Sequence, residues 1–127
     1  MRICGATEHA MIFYRDKLPK FRNNGKMIFD WFIWEKDGKD ISKIHPTQKP
    51  IKVLKQLISL FTDEGDVVID PVAGSGTTLR AALELGRKAY GFEIKKDFYK
   101  QANELMLKGI SCQEQMNFRA LKQEAFI

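Results

Sequence analysis

Apolar positions change their period along the chain, and the changes mark its elements. Ile51, Leu54, Leu57, Ile58 and Phe61 recur at helical spacing with Lys52, Lys55 and Gln56 between them, which predicts an amphipathic helix begun at or just after Pro50. Thr62-Asp63-Glu64-Gly65-Asp66 breaks that pattern as a polar turn. Val67-Val68-Ile69 is a branched run that suits a strand buried on both faces, and Asp70-Pro71 ends it. Ala73-Gly74-Ser75-Gly76 is a small-residue turn; helical periodicity returns at Thr77, runs through Leu79, Ala82 and Leu83, and closes at Gly86 as a C′ residue. Ala89 to Ile94 reads as the next strand. Asp97 is the expected cap of a helix reaching about Leu107, and residues 112–125 read as a weaker amphipathic helix.

Before His45 the pattern differs. Ala10 to Tyr14 and Ile28 to Trp34 are short apolar runs of strand length, the second rich in aromatic and branched side chains. The stretch from Arg15 to Lys26 between them has the Pro, Asn-Asn-Gly and charge content of an exposed loop, either a DNA-facing element through Lys17, Lys20 and Arg22 or simply a solvated loop. Phe29, Trp31, Phe32 and Trp34 are read as core, with a base-stacking platform as the sharper alternative. Pro46 and Pro50 bracket a rigid extended stretch. The expected organisation is one structural domain, with residues 1–44 a β-rich extension and 45–127 an α/β region.

Composition narrows the class. At 127 residues, 44% hydrophobic and 29% charged, the chain suits one globular domain and not a disordered one. Its apolar runs fall far short of the roughly 20 residues a membrane span needs, and Met1 to Gly5 opens no apolar signal segment, so the cytoplasm is the expected compartment. The net charge of +5 permits a polyanionic partner without demanding one. It is not gathered in a tail: residues 1–44 hold nine basic and six acidic residues, and 45–127 hold twelve and ten. Cys4 and Cys112, with no Cys-x-x-Cys pair, form neither a zinc site nor a disulfide framework and are expected to be buried and inert.

The chemistry lies in the order strand, Asp70, Gly74-Ser75-Gly76, helix, strand, Glu93, a βαβ unit with a glycine loop at its first crossover. Glycines let a ligand approach the backbone, and the N–H groups at the helix start suit a carboxylate or phosphate. Glu93, 23 residues after Asp70, stands where a carboxylate accepts both ribose hydroxyls. A dinucleotide site wants a third glycine where Leu79 stands, and Asp70 would repel a pyrophosphate. A phosphate loop wants Lys after Gly76, where Thr77 stands. S-adenosylmethionine fits better: its ammonium on Asp70, its carboxylate on loop N–H groups and the Ser75 or Thr77 hydroxyl, its ribose on Glu93.

Asp70-Pro71-Val72-Ala73-Gly74-Ser75-Gly76-Thr77-Thr78 resembles cofactor-binding motif I of DNA amino-methyltransferases, and His45-Pro46-Thr47-Gln48-Lys49-Pro50 resembles their motif X. Gly91-Phe92-Glu93-Ile94 is similar to motif II, and Glu8 to Tyr14 to the segment that follows the catalytic half. Motif X ahead of motif I resembles the β-type arrangement, in which the catalytic half and target-recognition region come first. The resemblance implies a partial Rossmann-like S-adenosylmethionine-dependent methyltransferase fold with a β-rich N-terminal extension. It implies that His45, Thr47 and Lys49 line the methionine end of the cofactor, with Lys49 on its carboxylate. Asp70, Gly74, Gly76 and Thr77 would hold the methionyl group, Glu93 the ribose, and Ile94 would pack on adenine. Val72 stands where the family usually has Phe, which implies a looser pocket.

The family's catalytic motif IV, an Asp, Asn or Ser followed by Pro-Pro and an aromatic residue, is not found: the prolines are Pro19, Pro46, Pro50 and Pro71, no two adjacent. The expected function is therefore the S-adenosylmethionine-binding portion of a site-specific DNA methyltransferase, acting on adenine N6 in preference to cytosine N4. The competing class is a non-catalytic cofactor- or DNA-binding module that needs a partner carrying the Pro-Pro motif. The expected partners are DNA, and a second polypeptide supplying the catalytic half or another copy of the chain, joined through apolar surface around Phe29 to Trp34.

Overall fold

A computed structural model describes residues 7–17 and 20–110, together with the backbone of 117–120. Helix α1 (Ile51–Phe61) leads into strand β1 (Val67–Asp70), helix α2 (Thr77–Glu84), strand β2 (Lys88–Glu93), helix α3 (Lys96–Gln101) with a π-helical turn (Ala102–Met106), and strand β3 (Asn117–Ala120). The strands form one parallel sheet in the order β1-β2-β3, with Val68 opposite Ala89 and Asp70 opposite Gly91. Parallel strands need a crossover, and α2 supplies it between β1 and β2.

Helix α1 starts where Pro50 cannot continue a helical ladder behind it, and its first N–H is satisfied from a distance: Ile51 N–H donates to Asp37 Oδ1 at 2.8 Å. Ile51 and Ile58 are buried, and α1 lies against α2. Helix α2 is central, because Leu79, Ala81 and Ala82 are enclosed by the sheet, α1 and the π-helical turn. Leu79 is 1% exposed and presses on Gly91 of β2; a Cβ built on Gly91 would stand 2.5 Å from Leu79 Cδ1. Gly91 thus sets how closely α2 approaches the sheet.

Between α1 and α2, Glu84 Oε2 lies 2.5 Å from Lys55 Nζ, and its Oε1 lies 2.6 Å from Arg80 Nε. Burial alone pushes the Glu84 carboxyl up, but the hydrogen bonds and charges of Lys55 and Arg80 outweigh it and leave the group below the ordinary glutamate range. A carboxyl depressed by folding stabilises the fold above its unfolded-state pKa, about 4.3, and that contribution is lost as pH falls through the folded-state value. Thermal melts between pH 7 and pH 3 should therefore show a smaller acid loss in Glu84→Gln than in the parent chain. An equal loss in both would show that the bridge carries no net stability.

Several expectations are corrected here. Residues 10–14 and 28–34 are not strands; among the described residues the only strands are β1, β2 and β3, and β-prone side chains without a ladder partner leave the backbone irregular. The β-rich N-terminal extension is thus an irregular one. Part of it wraps the C-terminal end of α1, where Arg22 N–H donates to the Leu60 carbonyl at 2.8 Å and the Phe21 ring lies 5.3 Å from that of Phe61. Phe29, Trp31 and Trp34 are exposed, Trp31 by 61%, and not core. Strand β1 is covered on one face only, leaving Val67 52% and Ile69 62% exposed, because α2 lies on the side of Val68 and Ala89. Lys95 holds the N-cap position of α3 and Asp97 lies in its first turn, where a carboxylate favours the helix dipole. Residues 117–120, expected in a helix, form β3; the rest of 112–125, like Cys4 and Cys112, lies outside the described residues. Arg87 is half-buried and donates to the Thr62 carbonyl at 2.7 Å and to its hydroxyl at 3.0 Å. Among the described residues no helix is long and apolar enough to cross a membrane.

Candidate functional site

Because β1 and β2 run parallel, their C-terminal ends open on one side of the sheet, the side on which open α/β sheets bind ligands. Asp70 closes β1 and Glu93 closes β2. Between them the loop from Pro71 to Gly76 turns back into α2. Its turn is held by backbone bonds from Ala73 N–H to the Phe92 carbonyl at 2.9 Å and from Gly76 N–H to the Ala73 carbonyl at 2.8 Å. Asp70 Oδ1 accepts Val72 N–H at 3.0 Å. The Ser75 and Thr77 hydroxyls lie 2.7 Å apart, both buried.

Gly76 is the residue this turn cannot replace. Its φ of 76° is left-handed, and a Cβ on it would stand 3.2 Å from Ala102 Cβ of the π-helical turn. Immediately after it the first turn of α2 presents N–H groups with no carbonyl behind them in the helix, carrying the positive end of the dipole.

A cleft of about 450 Å³ opens over this loop, within the roughly 300–1,000 Å³ of pockets that hold small molecules. Asp70, Val72, Gly74, Ser75 and Thr77 form its floor, Glu93 and Ile94 one side, and His45, Thr47 and Lys49 another. Gly76 lies beneath, buried, and does not line it. Ten of the residues singled out from the sequence thus come to one cleft, although they are spread over a span of 50 positions from His45 to Ile94. The arrangement suits a ligand with a cation for Asp70, an anion for the first amides of α2 and hydroxyls for Glu93.

Two of the cleft's basic groups are engaged with the protein itself. His45 Nδ1 accepts Thr47 N–H at 3.2 Å and lies 2.9 Å from the Thr47 hydroxyl, which shapes the turn between Pro46 and Pro50. Lys49 Nζ lies 2.5 Å from Glu8 Oε2 and 5.1 Å from the centre of the Trp34 ring. Of the basic loop residues, Lys17 and Lys20 are exposed, whereas Arg22 is paired with Asp63. The Arg22 guanidinium, hydrogen-bonded to Asp63, holds that carboxyl below the usual aspartate range. Arg22 is therefore placed as a tether of the N-terminal segment to the turn after α1.

The sequence reading missed Lys95, Phe98, Gln48 and Leu54 in the cleft wall. The Phe98 ring packs edge-on to His45 at 4.8 Å, with Lys95 Nζ 5.4 Å from its centre, and so closes the cleft between α3 and the Pro46–Pro50 turn. Phe98 was visible only as an apolar helix position. Nothing in the order of residues shows that α3 folds back over the glycine loop.

Comparison with known proteins shows the family to which the chain belongs. A family model described as DNA methylase, of the N6/N4 type, matches residues 6–104. The type II methyltransferase M2.LlaDCHI of Lactococcus lactis subsp. cremoris is 39% identical over 102 residues, covering 76% of this chain and 37% of that protein. The DNA adenine methyltransferase YhdJ of Escherichia coli K12 is 37% identical over 98 residues, covering 74% of this chain and 33% of that protein. The crystal structure of an M1.HpyAVI–SAM complex superposes with a TM-score of 0.55 at 34% identity, over 65% of this chain and 40% of that one. The chain spans about a third of the length of the curated relatives it matches.

Proposed function

Because this chain belongs to the DNA methylase family of the N6/N4 type, with a Rossmann-like methyltransferase fold, we propose that it is the cofactor-binding portion of a site-specific DNA methyltransferase. The single observation that carries the reading is the cleft: Asp70 and Glu93 stand at the ends of neighbouring parallel strands on either side of the glycine loop. The cofactor is S-adenosylmethionine, which supplies a methyl group made electrophilic by its sulfonium. Its presence in the M1.HpyAVI complex supports the assignment.

The chain's own residues bind and orient. Asp70 attracts the ammonium, and the amides at the start of α2 with the Thr77 and Ser75 hydroxyls take the carboxylate. Glu93 accepts the ribose hydroxyls, and Ile94 and Phe98 give apolar walls to the base. His45 and Thr47 border the methionine end. Lys49 reaches the carboxylate by leaving Glu8, an exchange of one partially exposed ion pair for another.

DNA is the proposed substrate, with adenine N6 as the accepting amine; the adenine methyltransferase among the relatives supports adenine over cytosine. Residues 1–44 are proposed to belong to the target-recognition region, with the exposed Lys17 and Lys20 as the groups that would meet phosphates. No two prolines are adjacent in the chain, so the group that holds the accepting amine is proposed to come from another segment or polypeptide.

Titration calorimetry tests the cofactor assignment. The chain should bind S-adenosylmethionine or its demethylated product, and Glu93→Ala should weaken binding by about 1–3 kcal/mol, the cost of losing hydrogen bonds to a charged acceptor. That corresponds to roughly 5- to 150-fold in Kd. Equal affinity of the two proteins would overturn the assignment.

A further inference from the structure

Glu93 is 6% exposed, and both of its oxygens are already engaged by the protein. Oε1 accepts Lys95 N–H at 2.7 Å, a local bond two residues on. Oε2 accepts Gly74 N–H at 2.8 Å across 19 residues, which ties the middle of the glycine loop to the neighbouring strand. Gly74 itself has a left-handed φ of 52°, and a Cβ built on it would meet nothing within 4 Å. Glycine is needed there for the backbone conformation and not for room. A small-residue loop in that conformation has no side chain of its own to pin it, so its middle amide depends on a partner from elsewhere.

An ionised carboxylate offers about four acceptor positions, two on each oxygen. The two amides occupy one on each, and Glu93 lines the cleft, so one position per oxygen remains for ligand hydroxyls. Holding the loop and accepting a ribose diol therefore do not compete.

We propose that Glu93 is a positioning residue for the glycine loop, holding the Gly74 amide in place before any ligand arrives, in addition to its role as hydroxyl acceptor. The second role rests on the cofactor reading above; the first does not. The backbone of the loop is thereby fixed in advance where it turns into α2.

Amide hydrogen exchange of the ligand-free chain reads the first role directly. Gly74 should be protected in the parent chain and exchange at least about tenfold faster in Glu93→Ala, while Ala81 and Ala82 within α2 stay unchanged as reporters of an intact fold. Glu93→Met keeps the size and carries neither acceptor oxygen, so it should deprotect Gly74 and Lys95 together; it decides the matter if the alanine variant fails to fold. The second readout is binding of S-adenosylhomocysteine and of its 2′,3′-dideoxy analogue. If Glu93 served only the sugar, its replacement would leave the dideoxy affinity untouched. The positioning role predicts that Glu93→Met weakens the dideoxy analogue as well, by about 3- to 10-fold, since a loosened loop must be ordered on binding. Unchanged Gly74 protection in the variants, or an unchanged dideoxy affinity, overturns the proposal. Binding of neither ligand by the parent chain, with Gly74 protection still dependent on Glu93, would instead overturn the cofactor reading and leave the loop tether standing.

Discussion

Purified by itself, the chain should transfer no labelled methyl groups to DNA, and addition of a polypeptide bearing the family's Asp-Pro-Pro-Tyr-like segment should raise transfer by at least about 10⁴-fold. The magnitude follows from what is missing. Methyl transfer needs an amine held in line with the sulfonium, and such positioning is worth effective molarities of roughly 10⁵–10⁸ M in well-oriented reactions. A base inside a duplex must also be extruded and held, which costs a few kcal/mol that no residue of this cleft offsets. The completing segment is proposed to pack on the sheet. Val67 and Ile69 are exposed on the face of the sheet away from α2, and β1 has no ladder partner on its outer edge among the described residues. An uncovered branched face beside an open edge is apolar surface that association would bury. Incorporation of methyl groups by the chain alone at the rate of the mixture would contradict the division of labour proposed here.

Leu79→Ala should cost about 2–5 kcal/mol of stability, the range for deleting a fully buried leucine side chain. Leu79 is one of the two largest fully enclosed side chains among the described residues, and its methyl groups meet the backbone of β2 at Gly91, two residues before Glu93. The void would open directly beneath the strand that carries Glu93. Gly91→Ala attacks the same contact from the other side: a Cβ 2.5 Å from Leu79 Cδ1 forces the leucine or the helix to move, at about 1–3 kcal/mol. Joined in one chain, the two changes should cost less than their sum, because the added methyl group occupies part of the space the leucine leaves. Urea denaturation of the parent and the three variants checks this, and strict additivity would show that Leu79 and Gly91 do not share the contact.

The parts of the site that were legible in the sequence are those made by local chemistry. Asp70, the Gly74-Ser75-Gly76 turn, the helix after it and Glu93 follow one another along a single βαβ unit, so strand period, turn residues and helix period suffice to place them. The π-helical continuation of α3 was not legible, because it depends on Ala102 and Leu107 fitting against Gly76, a contact between distant segments. Pairing of Asp37 with the first amide of α1, and of Arg22 with Asp63, was hidden for the same reason. The aromatic run from Phe29 to Trp34 misled in an instructive way. Its composition is that of a buried strand, yet burial requires a surface to receive it, and among the described residues none covers Phe29, Trp31 or Trp34 fully. Lys49 was read from its motif as a ligand group, and no pattern could show that Glu8 and Trp34 hold it meanwhile.

One cleft, floored by the glycine loop and walled by Glu93, is proposed to receive the cofactor. An NMR titration of the chain with S-adenosylhomocysteine tests it residue by residue. Amide shifts should concentrate at Gly74 to Thr77 and at Glu93 to Phe98, with smaller ones at His45 to Lys49, and a common affinity fitted from all three segments. Shifts that bypass Gly74 and Glu93 and gather instead on the exposed segment from Met27 to Trp34 would contradict it.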